Sequence, residues 1–344
     1  MRAVLVERFG LAPTLTTVPD PAPAPHGVVV AVEATGVCRS DWHAWQGHDD
    51  DVVLPHVPGH ELAGTVAAVG ADVRGWRVGD RVTVPFVTAC GTCPECAAGQ
   101  QQVCRRQTQP GFTGWGSFAE LVALDHADVN LVALPAELPA DAAAALGCRV
   151  ATAFHAVTDV GRVRPGERVV VHGCGGVGLS VVSLAVSAGA RVVASDPSPA
   201  ARELARAFGA EQVVDPAAGD VVAAVTDLTG GGAHVAFDAV GSVATCEASV
   251  RSLRTRGRHV QIGLLPAALG RPAVPMDRVV ALELRVLGSH GMAAHDYPRL
   301  LDLVLSGRFP AADLVQRVLP LEAGPRALAD LTTSAGAGIT VLQP

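Results

Sequence analysis

One short segment limits the possible folds of this chain more than any other: Gly173-Cys174-Gly175-Gly176-Val177-Gly178, which matches G-x-G-x-x-G. It follows the apolar run RVVV and opens a helical stretch near Gly176, so it reads as the turn joining a buried strand to a helix. Positions without a Cβ let the backbone turn tightly and approach a pyrophosphate closely. The helix start then offers unpaired N–H groups and the positive end of its dipole. Asp196 ends the next apolar run, about twenty residues on, where a carboxylate accepts hydrogen bonds from both adenosine ribose hydroxyls. That carboxylate would repel a 2′-phosphate, which favours NAD over NADP, while Arg202 within reach works in the opposite direction. The competing reading is a Gly-rich turn beside an ordinary aspartate.

The surrounding sequence agrees with the first reading. RVVVHG, RVVASD, EQVVD, HVAFDAV, RHVQIG and LRVLGS alternate with Ala-rich helical stretches. Ser198 and Pro199 have the chemistry of an N-cap and first helical position for PAARELARAFGA. Such alternation predicts a parallel, doubly wound sheet covered by helices on both faces. Residues 169–190 carry no formally charged side chain, yet glycines and His172 interrupt them, so a buried strand, turn and helix explains them better than a membrane span.

The first 145 residues have another texture. RAVLVE, GVVVAVEATG, LAGTVAAVG, DRVTVPF and FAELVAL are short apolar runs broken by Gly, Pro and Asp, which predicts a β-rich, barrel-like module. A helix near YPRLLDLVLSG and a last strand, GITVLQ, follow residue 290. The expected plan is an α/β chain with a β-rich module over 1–149, a nucleotide-binding module over 150–289, and a tail over 290–344 returning to the first module.

With 344 residues, 49% hydrophobic and 17% charged, the chain can bury two cores and is not globally disordered. Its net charge of -7 argues against general affinity for nucleic acid or anionic membrane. All basic side chains are arginine, a compositional bias to which no function is attached. The start, MRAVLVERFG, reads as a strand of the mature protein rather than a secretion signal, so cytoplasmic residence is expected.

Cys90, Cys93, Cys96 and Cys104 have the spacing C-x2-C-x2-C-x7-C. Four neighbouring thiolates repel one another unless a cation neutralises them, and Zn²⁺ suits four sulfurs in a tetrahedron. Such a closed set leaves no open position and predicts a structural site; an iron–sulfur cluster is the alternative. Three further donors stand apart: Cys38 in GVCRSDWH, His60 in GHE and Cys148 in LGCRVAT. Spacing alone does not join them, and each alone reads equally as a buried small hydrophobe or a structural histidine.

Gly36-Val37-Cys38-Arg39-Ser40-Asp41, Gly59-His60-Glu61 with Gly64 and Gly70, Gly79-Asp80-Arg81-Val82, the four-cysteine loop, Gly147-Cys148 and the Gly-rich turn occur in one order across nearly the whole chain. In this the sequence resembles the zinc-dependent alcohol dehydrogenases of the medium-chain dehydrogenase/reductase superfamily. The resemblance implies a GroES-like catalytic domain beside a Rossmann domain, and two zinc ions per subunit with NAD. It implies that Cys38, His60 and Cys148 hold a catalytic zinc with one open place, that Glu61 lies beside it, and that Asp41 orients His60. It further implies that Ser40 touches the substrate oxygen and begins a proton relay to His43, that Arg39 contacts the cofactor pyrophosphate, and that Thr152 lies beside the nicotinamide. Phe86 and Trp45 align with substrate-pocket positions, with core packing as the alternative.

The implied activity is hydride transfer between a primary or secondary alcohol, or its aldehyde or ketone, and NAD. Polyol or amino-alcohol dehydrogenases and biosynthetic carbonyl reductases of the same superfamily are the nearest alternatives, and a non-catalytic nucleotide-binding protein is the alternative of another class. The implied substrate is a small molecule, and the implied assembly is a homodimer or homotetramer, with the strand near Leu284–Ser289 as a pairing edge. Arg149 departs from the smaller residue many relatives carry; it either narrows the cleft or pairs with an acid. GITVLQ lacks an arginine that some relatives use against the cofactor phosphates, which puts more of that load on Arg39. Cys174 and Cys246 fit no metal set and read as packing residues.

Overall fold

The computed structural model describes residues 1–265, 270–332 and 337–344. The β-rich region opens with β1 (Arg2–Leu5), β2 (Thr14–Thr17), β3 (Val28–Val37), β4 (Leu62–Val69), β5 (Arg81–Thr83), β6 (Leu121–Leu124) and β7 (Val132–Ala133). Antiparallel pairing carries β3 to β4, β4 to β5 and β5 to β7, with β6 on β3. Val28, Val30, Val32, Leu62, Val66 and Val82 alternate inward and fill this curved sheet.

The second sheet comprises β8 (Arg168–His172), β9 (Arg191–Ser195), β10 (Gln212–Val214), β11 (Ala233–Asp238), β12 (Leu253–Gln261) and β13 (Arg285–Gly288). All its pairs are parallel, in the order β10-β9-β8-β11-β12-β13. The order reverses between β8 and β11, the crevice at which open α/β sheets bind ligands. Both faces are covered. Val169, Val171 and Phe237 pack with Leu179 and Val182 of the helix Gly176–Ser187, whereas Val170, Val193, Ala236 and Val250 form the opposite layer. Ser198 caps the helix Pro199–Ala207, its Oγ accepting from the Ala201 N–H at 3.3 Å.

The last strands, β14 (Val315–Pro320) and β15 (Ile339–Gln343), pair with each other, and β15 pairs with β3. The chain thus returns to its first sheet. One buried cluster runs from Ala34 and Ala63 of that sheet through Leu146 and Val150 to Val169 and Phe237. It places Cys148 on the seam between the two sheets. No described helix is long and apolar enough to cross a membrane.

Candidate active site and metal centres

Antiparallel pairing brings the first two dispersed donors together. Thr35 on β3 lies opposite Leu62 on β4, and the Gly36 N–H bonds to the Glu61 carbonyl at 2.8 Å. Cys38, just beyond β3, therefore meets His60, just before β4. A helical segment delivers the third. Residues Leu146–Val150 form one wide π-helical turn, which turns Cys148 inward and frees backbone carbonyls. The Phe86 N–H and the buried Tyr297 hydroxyl take up the Gly147 carbonyl, and Tyr297 also donates to Leu146 at 3.1 Å. Among Cys38, His60 and Cys148, Cys148 alone is partly exposed, so the donor set opens on its side.

Ligand atoms of Cys38, His60, Glu61 and Cys148 all lie within 4.8 Å of one another. His60 is buried; its Nδ1 lies 2.9 Å from Asp41, while its Nε2 has no hydrogen-bond partner. A buried imidazole nitrogen facing two sulfurs with no proton acceptor is the donor arrangement that suits a divalent ion. The electrostatics agree. Cys38 is held well below the ordinary thiol range, by its hydrogen bond with Cys148 first, against burial, with His60 and Arg149 adding to the effect. Burial would lower His60, yet the Asp41 charge and hydrogen bond, with Cys38, raise it well above its usual value. This pocket favours positive charge at its centre.

Asp41 organises the set. Its Oδ1 accepts from the Gly59 N–H at 3.0 Å and bonds His60, and its Oδ2 accepts from the Cys38 N–H at 2.9 Å. Glu61 is fully buried and paired with Arg149, whose Nε lies 2.9 Å from both carboxylate oxygens; Nη2 bonds Oε2, and the Arg149 N–H reaches Oε1 at 3.0 Å. Arg149 thus pairs with an acid, the second of the two readings its sequence position allowed. Gly36 makes room for the pair: a Cβ there would lie 2.2 Å from Glu61 Oε2.

Ser40 and His43 share one face of the short helix Arg39–Trp45, with Ser40 Oγ 3.9 Å from the Cys38 sulfur. His43 Nδ1 meets His48 Nδ1 at 3.0 Å, and burial, followed by Arg39 and His48, lowers its pKa. Arg39 is exposed and stacks over Trp42 at 5.5 Å. The Phe86 ring stands between His60, at 6.1 Å, and His290, at 5.1 Å. Beyond it lies a cavity of about 550 Å³ at the ends of β12 and β13, lined in part by Gln102, His155, Gln261, Ser289 and His290. Thr152, buried with an unpartnered hydroxyl, sits on the helix following Cys148. Trp45 is core: it packs with Val6 and Leu328, and its Nε1 donates to the Leu11 carbonyl at 2.5 Å.

The Gly-rich turn follows β8, and the helix begins at Gly176 with no side-chain cap. A Cβ on Gly178 would lie 1.8 Å from the Gly173 carbonyl, so only glycine fits. Val177 sits in the first turn of that helix, partly buried against the core. Asp196 follows β9; its Oδ2 accepts from the Cys174 N–H at 2.8 Å and its Oδ1 from the Ser198 N–H at 2.8 Å. Arg202 turns to the Asp196 and Pro197 carbonyls and pairs with Asp215 at 3.0 Å, so its cation braces this loop.

In the loop Cys90, Cys93, Cys96 and Cys104 are all buried. The sulfurs of Cys93 and Cys96 are 3.3 Å apart, those of Cys93 and Cys104 3.6 Å, and those of Cys104 and Cys90 3.5 Å. Four sulfurs about 2.3 Å from a tetrahedral centre stand about 3.8 Å apart, so a zinc ion fits with little adjustment. Cys174 and Cys246 are buried elsewhere in the second domain.

Residues 24–136 match the alcohol dehydrogenase GroES-like domain, and residues 176–306 match the zinc-binding dehydrogenase domain. An alcohol dehydrogenase of Rhizobium meliloti (strain 1021) is 36% identical over 90% of this chain and 90% of its own length. The chain belongs to the zinc-dependent alcohol dehydrogenases of the medium-chain superfamily. The alcohol dehydrogenase of Thermus sp. ATN1 superposes with a TM-score of 0.91 at 31% identity, covering 100% of this chain and 99% of that one. A Sinorhizobium meliloti 1021 zinc-binding dehydrogenase-type structure bound to NADP has the same TM-score, 0.91, also at 31% identity and over 100% and 99% of the two chains. As a member of this family, the chain is an oxidoreductase that moves a hydride between small alcohols or carbonyl compounds and a nicotinamide dinucleotide.

Proposed function

We propose that this alcohol dehydrogenase uses NAD, carries two zinc ions per subunit and works through Cys38, His60 and Cys148 as catalytic-zinc ligands. The observation that carries the reading is the convergence of these three donors, with His60 Nε2 buried and unpartnered among them. Two thiolates and one imidazole balance a divalent charge. When bound, zinc would supply Lewis acidity to a substrate oxygen, and the dinucleotide would supply the hydride acceptor. The remaining roles belong to the chain. Asp41 fixes the tautomer and direction of His60. Ser40, at the mouth of the set, would accept the substrate hydroxyl proton while passing on its own, and His43, near solvent with a lowered pKa, would be the group that finally takes a proton out of the site. Phe86 forms one wall of the substrate space, and Thr152 offers its hydroxyl toward the nicotinamide end. Cys90, Cys93, Cys96 and Cys104 hold the second, structural ion.

Two observations favour NAD. Asp196 stands at the end of β9 with both oxygens oriented by backbone N–H groups, leaving lone pairs for ribose hydroxyls. Arg202, the cation that would meet a 2′-phosphate, is already held by Asp215. Residues 1–149 and 290–344 act as the catalytic module around the 150–289 nucleotide module. Free, clustered thiols fit a reducing cytoplasm. At β13, Arg285 and Val286 are exposed on a strand paired only with β12 among the described residues, and we assign this edge to subunit pairing in a homodimer or homotetramer.

The test is zinc-loaded protein mixed with NAD or NADP and a panel of alcohols and polyols, read as reduced-cofactor absorbance, alongside Cys148→Ala. The variant should stay folded, bind NADH, retain one zinc and lose turnover. Full turnover in zinc-quantified Cys148→Ala would overturn the ligand assignment. No turnover by the wild type on any alcohol, with NADH still bound, would favour a binding protein instead.

A further inference from the structure

We propose that Arg149 is a shared cation, the guanidinium that neutralises Glu61 also donating through Nη1 to the pyrophosphate of the bound dinucleotide. The proposal rests on the reading of Gly173–Gly178 as the dinucleotide site.

The Arg149 side chain is only 8% exposed. One edge of its guanidinium, Nε and Nη2, is fully engaged by the Glu61 carboxylate. The other edge, Nη1, makes no hydrogen bond among the described residues. Nη1 is not sealed off from solvent like the rest of the side chain, so it is the one charged donor of Arg149 that an entering ligand can reach and pair with.

The position of Nη1 indicates which acceptor. A Cβ placed on Gly176 would lie 3.3 Å from Nη1 and 2.5 Å from Arg149 Cδ. The guanidinium therefore rests against the first residue of the helix Gly176–Ser187, whose opening N–H groups have no side-chain cap. Ile339 Cγ1 comes within 3.2 Å of the same point and closes that side with hydrocarbon, which offers no rival acceptor. An acceptor that satisfies both Nη1 and the N-terminal amides behind a Gly-rich turn is a phosphate. Arginine suits this double task because its planar fork has two donor edges; a lysine ammonium would have to choose between Glu61 and the phosphate.

The arrangement has a chemical reason on the Glu61 side as well. Glu61 is buried beside Cys38, His60 and Cys148, and the Arg149 fork and backbone N–H together engage both of its oxygens. One arginine thus partners a buried acid next to the proposed metal donors and marks the phosphate end of the cofactor cleft.

Calorimetric titration of the zinc-loaded protein with NADH, ADP-ribose and adenosine tests this, using Arg149→Lys and the double variant Glu61→Gln/Arg149→Met. The double variant leaves no buried charge without its partner, which protects folding. ADP-ribose should bind about tenfold more weakly to both variants, the loss expected for one charge-assisted hydrogen bond. Adenosine, which lacks the pyrophosphate, should bind as it does to the wild type, with zinc content unchanged. Unaltered ADP-ribose affinity in both folded variants overturns the proposal, and so does an equal weakening of ADP-ribose and adenosine, which would mark Arg149 as purely structural. A wild-type protein that fails to bind NADH would instead overturn the dinucleotide-site reading, and the proposal with it.

Discussion

Asp41 Oδ1 stands 2.9 Å from His60 Nδ1, and the same carboxylate holds the Cys38 N–H at 2.9 Å, so one buried acid positions two of the three proposed catalytic-zinc donors. The relation explains why a helix of seven residues can carry Ser40 and His43 at fixed places: Asp41 reaches back to the residue before the helix and caps it. Replacing Asp41 by Asn puts an amide N–H opposite the Cys38 or Gly59 N–H, two donors facing each other. We expect Asp41→Asn to lower zinc affinity at the catalytic set by about 10- to 100-fold. Competition with a chromogenic chelator measures it; an unchanged affinity would show that packing alone orients His60.

The four-cysteine loop predicts a different failure. Three of its sulfur pairs lie 3.3 to 3.6 Å apart, and the structural ion proposed for them would tie residues 90–104 into one unit. Cys93→Ala should release one zinc per chain and lower the Tm by roughly 5 °C or more. Mass spectrometry of the native protein and a thermal melt check both. A melt and a zinc content identical to wild type would contradict a structural role.

What could be read from the sequence follows the distance over which each signal acts. The Gly-rich turn, the Ser198 cap and the four-cysteine loop are local, and each lies where its spacing predicts, as do the apolar strands of the parallel sheet. The polar strand Thr14–Thr17 and the largely exposed Val315–Pro320 carry no continuous apolar run and gave no signal. The π-helical turn at Leu146–Val150 was equally silent, because one extra residue in a short helix leaves no clear periodicity. Glu61 and Arg149 are 88 positions apart, and only the assembled seam shows that they pair. Trp45 fits pocket and core alike by residue type; the Leu11 carbonyl that takes its N–H lies 34 positions away. The metal donors Cys38, His60 and Cys148 were joined by family resemblance rather than spacing, and the β3–β4 register supplies the physical reason that two of them meet.

Cofactor choice should respond to Asp196. Its carboxylate also accepts from the Cys174 and Ser198 N–H groups, so Asp196→Ala loosens a loop that NAD and NADP share. That common effect cancels in a ratio. The ribose contribution does not, and the kcat/KM for NAD relative to NADP should fall by about tenfold or more. Steady-state kinetics with both cofactors on one alcohol decides it; a constant ratio would defeat the ribose argument.

His172 ends β8 directly before the Gly-rich turn, and it should make stability depend on pH. It is buried, its Nε2 has no partner, and burial is the main reason its pKa is lowered to about 4, with Asp238 opposing and His259 assisting. The unfolded chain carries an ordinary histidine near 6.5. Between those two values the unfolded state binds more protons than the folded state, so stability rises with pH there and is lost as pH falls. The contribution is fully present above about pH 6.5 and gone below about pH 4, a span of about 3 kcal/mol. His172→Leu removes the titrating group without costing a hydrogen bond at Nε2. Both metal sets remain in the variant, so their own acid sensitivity appears equally in the two proteins. Urea unfolding at pH 7 and pH 5 should show the wild type losing about 2 kcal/mol more than His172→Leu on acidification. Equal losses would mean that His172 takes up its proton in the folded protein as readily as in the unfolded chain, and that its burial is not the source of the slope.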